Sequence, residues 1–221
     1  ISALPAGTQG TLIFRLVNND QSTTTSVSLL GDVQAIGVTT QLANDTAPVD
    51  STDPAYLSDG ITTDSTLTGS LVGDVAQLQV QQNGGAFTDI TASIVAGQFQ
   101  YQPANLTAGP QEFTFRATSG TGDTLDSMVS FTYSTGPTPV ISPATPVTES
   151  STVLFDSALS TIAGAAIYQR TWLMPNGATV SGTTAEYPFA ESGIYPVRLT
   201  LVDIAGATRS VEVPITVTNM A

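Results

Sequence analysis

"LTAGPQEFTFRA", residues Leu106 to Ala117, is the stretch from which the rest of the chain can be read. A loop with Gly109 leads into a run where Phe113, Phe115 and Ala117 alternate with Glu112, Thr114 and Arg116. Successive side chains of a strand point to opposite faces, so this alternation describes a strand with one face on a core. Nearly the same words, "LPAGTQGTLIFRL", occur at Leu4–Leu16, and "FAESGIYPVRLTLVD", Phe189–Asp203, holds a comparable place further on. Each copy has a turn with Gly and then an alternating strand with one arginine (Arg15, Arg116, Arg198). A loop and one more strand follow each time. By chain order these are the last two strands of three sandwiches. Residues 1–45 then read as the final hairpin and exit linker of an incompletely present domain. The rival reading is an amino-terminal hairpin that packs on the next domain.

The same period recurs along the chain, in "AQLQVQQ" (Ala76–Gln82), "GQFQYQ" (Gly97–Gln102), "MVSFTY" (Met128–Tyr133) and "VEVPITV" (Val211–Val217). Gly, Asn, Asp, Pro and Ser clusters separate these runs and supply turn chemistry. Helical periodicity with caps is nearly absent. Many short strands at this spacing predict all-β architecture, as tandem sandwiches. Two proline-marked seams, "NDTAPVDSTDP" (Asn44–Pro54) and "STGPTPVISP" (Ser134–Pro143), read as semi-stiff linkers because proline fixes φ. They divide the chain into 1–45, 46–136 and 137–221.

Composition narrows the chemistry. Eighteen acids stand against five bases, a net charge of −13, and every base is arginine. Such a surface repels nucleic acid and anionic lipid. There is no Cys and no His, which removes Cys₂His₂ zinc sites, thiol nucleophiles and Ser-His-Asp triads. No run approaches the roughly 20 apolar residues of a membrane helix. No signal peptide opens the sequence, so export would use a signal outside this stretch. A glycosidase needs only two carboxylates, but also an aromatic-lined cleft; aromatics are 7% here and fall mostly at alternating positions that suggest core. The sequence therefore predicts a non-catalytic protein.

The middle piece resembles the bacterial Ig-like repeats of long surface adhesins. The resemblance is carried by "DTAP" (Asp45–Pro48), "DGITTDSTLTGSL" (Asp59–Leu71), "GGAFTDI" (Gly84–Ile90), "GQFQYQPANLTAG" (Gly97–Gly109) and "FTFRAT" (Phe113–Thr118). It departs after that strand, where "ATSGTGDTLD" stands in place of the usual "ATDAAGN". The third piece resembles a PKD-type Ig-like domain through "WLMPNG" (Trp172–Gly177) and "GIYPVRLTLVDIAG" (Gly193–Gly206). Together these resemblances imply tandem Ig-like sandwiches in an extracellular, non-catalytic spacer or adhesion segment of a large bacterial surface or secreted protein. Its partners would be neighbouring Ig-like domains, with polysaccharide or a surface protein as a further class. The alternative is a carbohydrate- or protein-binding accessory module of a secreted enzyme. For that role Tyr168 and Trp172, four apart on one strand, would share a face, and Tyr187 and Tyr195 could join them; a core role for Trp172 is the better reading.

The acids suggest one site. In a seven-stranded sandwich the start of the first strand, the B–C loop and the F–G loop share a pole. That places Asp45, Asp50 and Asp53 with Asp74, Asp123 and Asp126, facing the preceding domain, while Asp59 and Asp64 go to the opposite pole. Carboxylates on short loops are suitable oxygen ligands for Ca²⁺. The expected metal ligands are Asp45, Asp74, Asp123 and Asp126, with Ca²⁺ stiffening the rod; a solvated acidic surface is the plainer reading. "DSTDPAYLSDG" is not an EF-hand, because its acids miss the alternate positions and no Glu closes it.

Overall fold

The computed structural model describes residues 36–49, 51–143 and 146–220. They fall in one compact unit, Gln34–Ala221, built of two β-sandwiches. The copy at Leu4–Leu16 with Arg15, and Asp50, lie outside the described residues.

The first sandwich comprises β1 (Gly37–Leu42), a helical turn α1 (Pro54–Leu57), β2 (Ile61–Thr62), β3 (Leu67–Val72), β4 (Val75–Gln82), β5 (Phe87–Asp89), β6 (Ile94–Val95), β7 (Gln98–Tyr101), β8 (Gly109–Ser119) and β9 (Thr124–Tyr133). One sheet runs β1-β3-β7-β6 and the other β2-β9-β8-β4-β5. The alternation in Leu106–Ala117 now has its two faces. Phe113, Phe115 and Ala117 of β8 are buried, while Glu112 is exposed and Thr114 and Arg116 are half-buried. Phe113 stacks on Phe131 of β9 at 5.8 Å, and Phe115 meets Phe99 of the facing sheet at 5.1 Å. Burying each such ring stabilises by about 1.5–3 kcal/mol. Phe99 lies across β3 because position 69 is glycine; a Cβ there would run into the ring and the Thr39 carbonyl.

The proline-rich stretch Asn44–Pro54 is a loop inside this sandwich, and the expected boundary at residue 46 moves upstream. β1 pairs antiparallel with β3 from Gly37↔Val72 to Leu42↔Leu67. The chain then crosses to the other sheet, where β2 pairs parallel with β9. The first strand is thus split between the sheets, and the seam is the crossover between its halves. Proline and aspartate disfavour regular pairing in a crossover as much as in a linker. Composition alone does not tell the two apart.

The second sandwich contains β10 (Val147–Thr148), β11 (Ser151–Asp156), β12 (Ile167–Leu173), β13 (Thr179–Ser181), β14 (Thr184–Phe189), β15 (Gly193–Asp203) and β16 (Thr208–Thr218). The sheet β10-β16-β15-β12-β13 faces the pair β11-β14. Here too the short entry strand β10 runs parallel to the last strand. Trp172, Phe155, Phe189, Leu199 and Leu201 form the core, and Trp172 is fully buried with its Nε1 donating to the Gly182 carbonyl at 2.9 Å. The turn after β12 closes as "PNG" suggests: Ala178 N–H donates to Asn176 Oδ1 at 3.0 Å, and Gly177 takes φ +81°.

Candidate functional site: acidic loops and the junction between sandwiches

The four expected metal ligands do not converge. Asp74, in the β3–β4 turn, and Asp123, in the β8–β9 turn, share the pole where β1 begins, since Gly37 pairs with Val72 and Val75 with Ser119. Asp123 is held within its own turn. Its carboxylate accepts from Thr121 Oγ1 at 2.6 Å, and its N–H donates to Ser119 Oγ at 3.1 Å. Asp74 reaches toward the same turn, with Oδ2 at 3.9 Å from where a Cβ on Gly120 would stand.

Asp126 is already engaged. It sits opposite Arg116 across the β8–β9 ladder, and the guanidinium donates to both carboxylate oxygens, Nε to Oδ1 and Nη2 to Oδ2, each at 2.8 Å. The same guanidinium lies 4.2 Å from the centre of the Phe87 ring. The hydrogen bond from Arg116 holds the Asp126 carboxyl below its ordinary range and in return raises Arg116. Its place on a strand beside a cross-strand arginine, rather than in the loop, is what removes it from the ligand set.

Asp45 lies at the opposite pole, toward the second sandwich. Because β1 opens the sandwich earlier than expected, the following loop carries Asp45 to the far end. Its Oδ2 accepts from Gly60 N–H at 2.9 Å, and the Gly60 carbonyl accepts from Thr132 near the end of β9. Asp45 Oδ1 is buried without a partner. Nearby Asp59 is pushed up by burial, and the Asp45 charge adds to the shift. Asp53 is spent as the cap of α1, accepting from Ala55 N–H at 2.9 Å. Asp64 accepts from Thr66 and from Asn44, and these bonds hold its carboxyl low. Among the described residues no three acidic side chains come together as a metal-holding group. The acids thus fall in two places, Asp74 and Asp123 at one pole and Asp45 with Asp59 at the other.

The sequence places Asp203 in the last loop near the second seam but does not reveal the contact it makes there. Asp203, at the end of β15, is fully buried although it bears a carboxylate, and so is Ser134 at 1% exposure. Ser134 Oγ donates to Asp203 Oδ2 at 2.6 Å, and Ala207 N–H donates to Oδ1 at 2.7 Å. Ser134 belongs by its backbone to the first sandwich, since its N–H donates to the Thr62 carbonyl at 2.9 Å. Gly206 (φ +82°) abuts the Ala47 carbonyl, and Gly164 (φ +79°) abuts the Tyr133 carbonyl, with no room for a Cβ at either place. Tyr56 of α1 meets Tyr168 of β12 edge to face at 5.4 Å. A polar linker serine followed by an acid at the head of "DIAG" was the available signal. Spacing cannot say that the two meet 69 residues apart.

Among the described residues, the four expected aromatics of the second sandwich do not line up as a platform. A bulge between Ile167 and Gln169 breaks the register of β12, so the expected shared face of Tyr168 and Trp172 is lost. Trp172 goes to the core and Tyr168 to the junction, while Tyr187 and Tyr195 pack on Phe189.

These features define a class: tandem β-sandwiches of mainly antiparallel strands, each with a short entry strand parallel to its last strand. Residues 134–218 match the family model of the PKD domain. The match spans the second sandwich and agrees with the resemblance carried by the Trp172 turn and the last hairpin. No curated protein matches the chain. Similar solved structures include the fibronectin(III)-like modules of Clostridium thermocellum CbhA, with 13% identity over 81% of this chain and 94% of that one at a TM-score of 0.35. A 1.5-MDa bacterial ice-binding adhesin has 17% identity over 84% of this chain and 65% of that one at 0.36. A repeat from the extending region of a large adhesion protein has 16% identity over 85% and 50% at 0.30. The sandwich architecture rests on the strand pairing described above.

Proposed function

We propose that this chain is a non-catalytic extracellular spacer or adhesion segment of a larger bacterial surface or secreted protein. The observation that carries the reading is the end-to-end interlock of the sandwiches. The first begins at one pole, meets the second at its other pole through Ser134 and Asp203, and β16 runs away from that junction. Units joined this way transmit position along a chain, which is what a spacer must do. A PKD domain is typically a non-catalytic fold, and fold alone does not assign chemistry. The shallow depression lined by Thr39, Thr40, Gln41, Thr68, Ser70 and Gln98 has no titratable side chain to offer a substrate. No described helix is long and apolar enough to cross a membrane. Calcium belongs to the proposal only at these two places, with Asp74 and Asp123 completed by groups beyond them.

A glycan and surface-protein array probed with the purified chain separates the spacer from the accessory-module reading. A purely spacing role expects no specific binding, whereas an adhesive role expects a surface-protein ligand. Saturable binding of one polysaccharide class, lost on substitution of an exposed side chain without unfolding, overturns both.

A further inference from the structure

We propose that the Ser134–Asp203 hydrogen bond is a metal-independent latch that fixes the angle between the two sandwiches. The inference rests on the spacer reading only for its purpose; its geometry stands alone. Asp203 is an acidic side chain with no exposed surface and no arginine paired with it, since the one ion pair among the described residues is Arg116–Asp126. A buried carboxylate is retained only where donors replace its lost water. Asp203 has two, and one of them comes from the other sandwich. Ser134 is equally fixed. Its N–H is bound to Thr62 at the edge of the first sandwich, and its Oγ also accepts from Gly136 N–H at 3.2 Å.

One hydrogen bond would still allow rotation. Two loops of the second sandwich prevent it by resting on separate segments of the first. The 203–207 loop sets Gly206 on Ala47, and the loop before β12 sets Gly164 on Tyr133 and beside Gly109 N. Gly136 and Pro137, the residues that would act as a hinge, are buried. Removing the hydroxyl leaves Asp203 Oδ2 without a donor in a place water reaches only if the sandwiches part. The relief for the carboxylate is therefore to open the joint.

The chain has no cysteine, so Val95→Cys and Leu154→Cys, exposed positions on the first and second sandwich, accept two spin labels cleanly. Distances are measured by pulsed electron resonance on the full chain in chelator and again with Ca²⁺. The latch predicts one narrow distance in chelator, unchanged by Ca²⁺, and a broad or multiple distribution for Ser134→Ala. Unchanged emission of the buried Trp172 would show the second sandwich still folded. Should Ser134→Ala not fold, Gly164→Ala opens the same joint from the other loop and is read in the same way. A broad distribution in the parent chain, a narrow one that requires Ca²⁺, or a Ser134→Ala distribution as narrow as the parent's each overturns the latch. None of these readings depends on the array, so the two proposals fail separately.

Discussion

Gly177 and Gly206 offer a paired test of the junction. Both are turn glycines of the second sandwich with nearly identical backbones, φ +81° and +82°. Alanine in this left-handed region costs about 1–2 kcal/mol. At Gly177 a Cβ meets nothing within 4 Å, so that strain is the whole effect. At Gly206 a Cβ collides with the Ala47 carbonyl oxygen and approaches Ala47 C to 2.9 Å and Pro48 N to 3.4 Å. These are backbone atoms and cannot swing aside as a side chain would. For a domain of this size about 1 kcal/mol shifts the midpoint by roughly 4–8 °C. Gly177→Ala should therefore lower the melt of the second sandwich by about that much or somewhat more and leave its shape unchanged. Gly206→Ala should carry the same strain plus the collision, which the chain relieves by undocking the sandwiches. The assay is differential scanning calorimetry with chelator present. The expected result for Gly206→Ala is a larger shift and a split of the transition into two. Equal shifts and equal cooperativity in the two variants would show that the loop clears Ala47 with a small movement. The Gly206 contact would then hold nothing.

Three further outcomes follow from the same contacts. Trp172→Ala removes a fully buried side chain and its bond to Gly182; it should destabilise the second sandwich by about 3–5 kcal/mol in urea unfolding. Asp89 accepts from Thr91 and Gln77 and is held down to about 2, and Asp126 is held low by Arg116. Carboxyls depressed in the folded state stabilise fully above their unfolded value of about 3.9 and lose that contribution as pH falls through the folded value. Stability should accordingly fall with pH below about 4, and fall less steeply in Asp89→Asn, read by circular dichroism against pH; an identical slope removes Asp89 from the account. A melt with excess Ca²⁺ tests the acids at the two poles, because a cation bound only to the folded state raises the midpoint. A rise lost in Asp74→Ala but kept in Asp45→Ala assigns the cation to the amino-terminal pole, the reverse assigns it to the junction, and no rise leaves the sandwiches metal-free.

The strands were legible because burial on one face writes a two-residue period into the chain. Phe113, Phe115 and Ala117, or Val197, Leu199 and Leu201, need no partner to announce which side faces in. The turns were legible as well, as at Asn176–Gly177, since left-handed backbone asks for glycine. The site was less so. Asp126 looked like a loop ligand until the β8–β9 register set it opposite Arg116, and Asp45 looked like a strand entry until β1, with its weak alternation of Gly, Thr and Gln, took that place.

What the sequence determined by itself was therefore local: strand faces, turns, the acidic balance and the PKD-like core around Trp172. What only the tertiary structure decided was every relation between distant segments. It made Asn44–Pro54 a crossover inside a sandwich, scattered the four acids between two poles and brought Ser134 to Asp203. Periodicity reports the environment on either side of one strand, whereas register and docking depend on which strand lies beside it. That choice is made by the summed packing of both sheets, and no single segment encodes it.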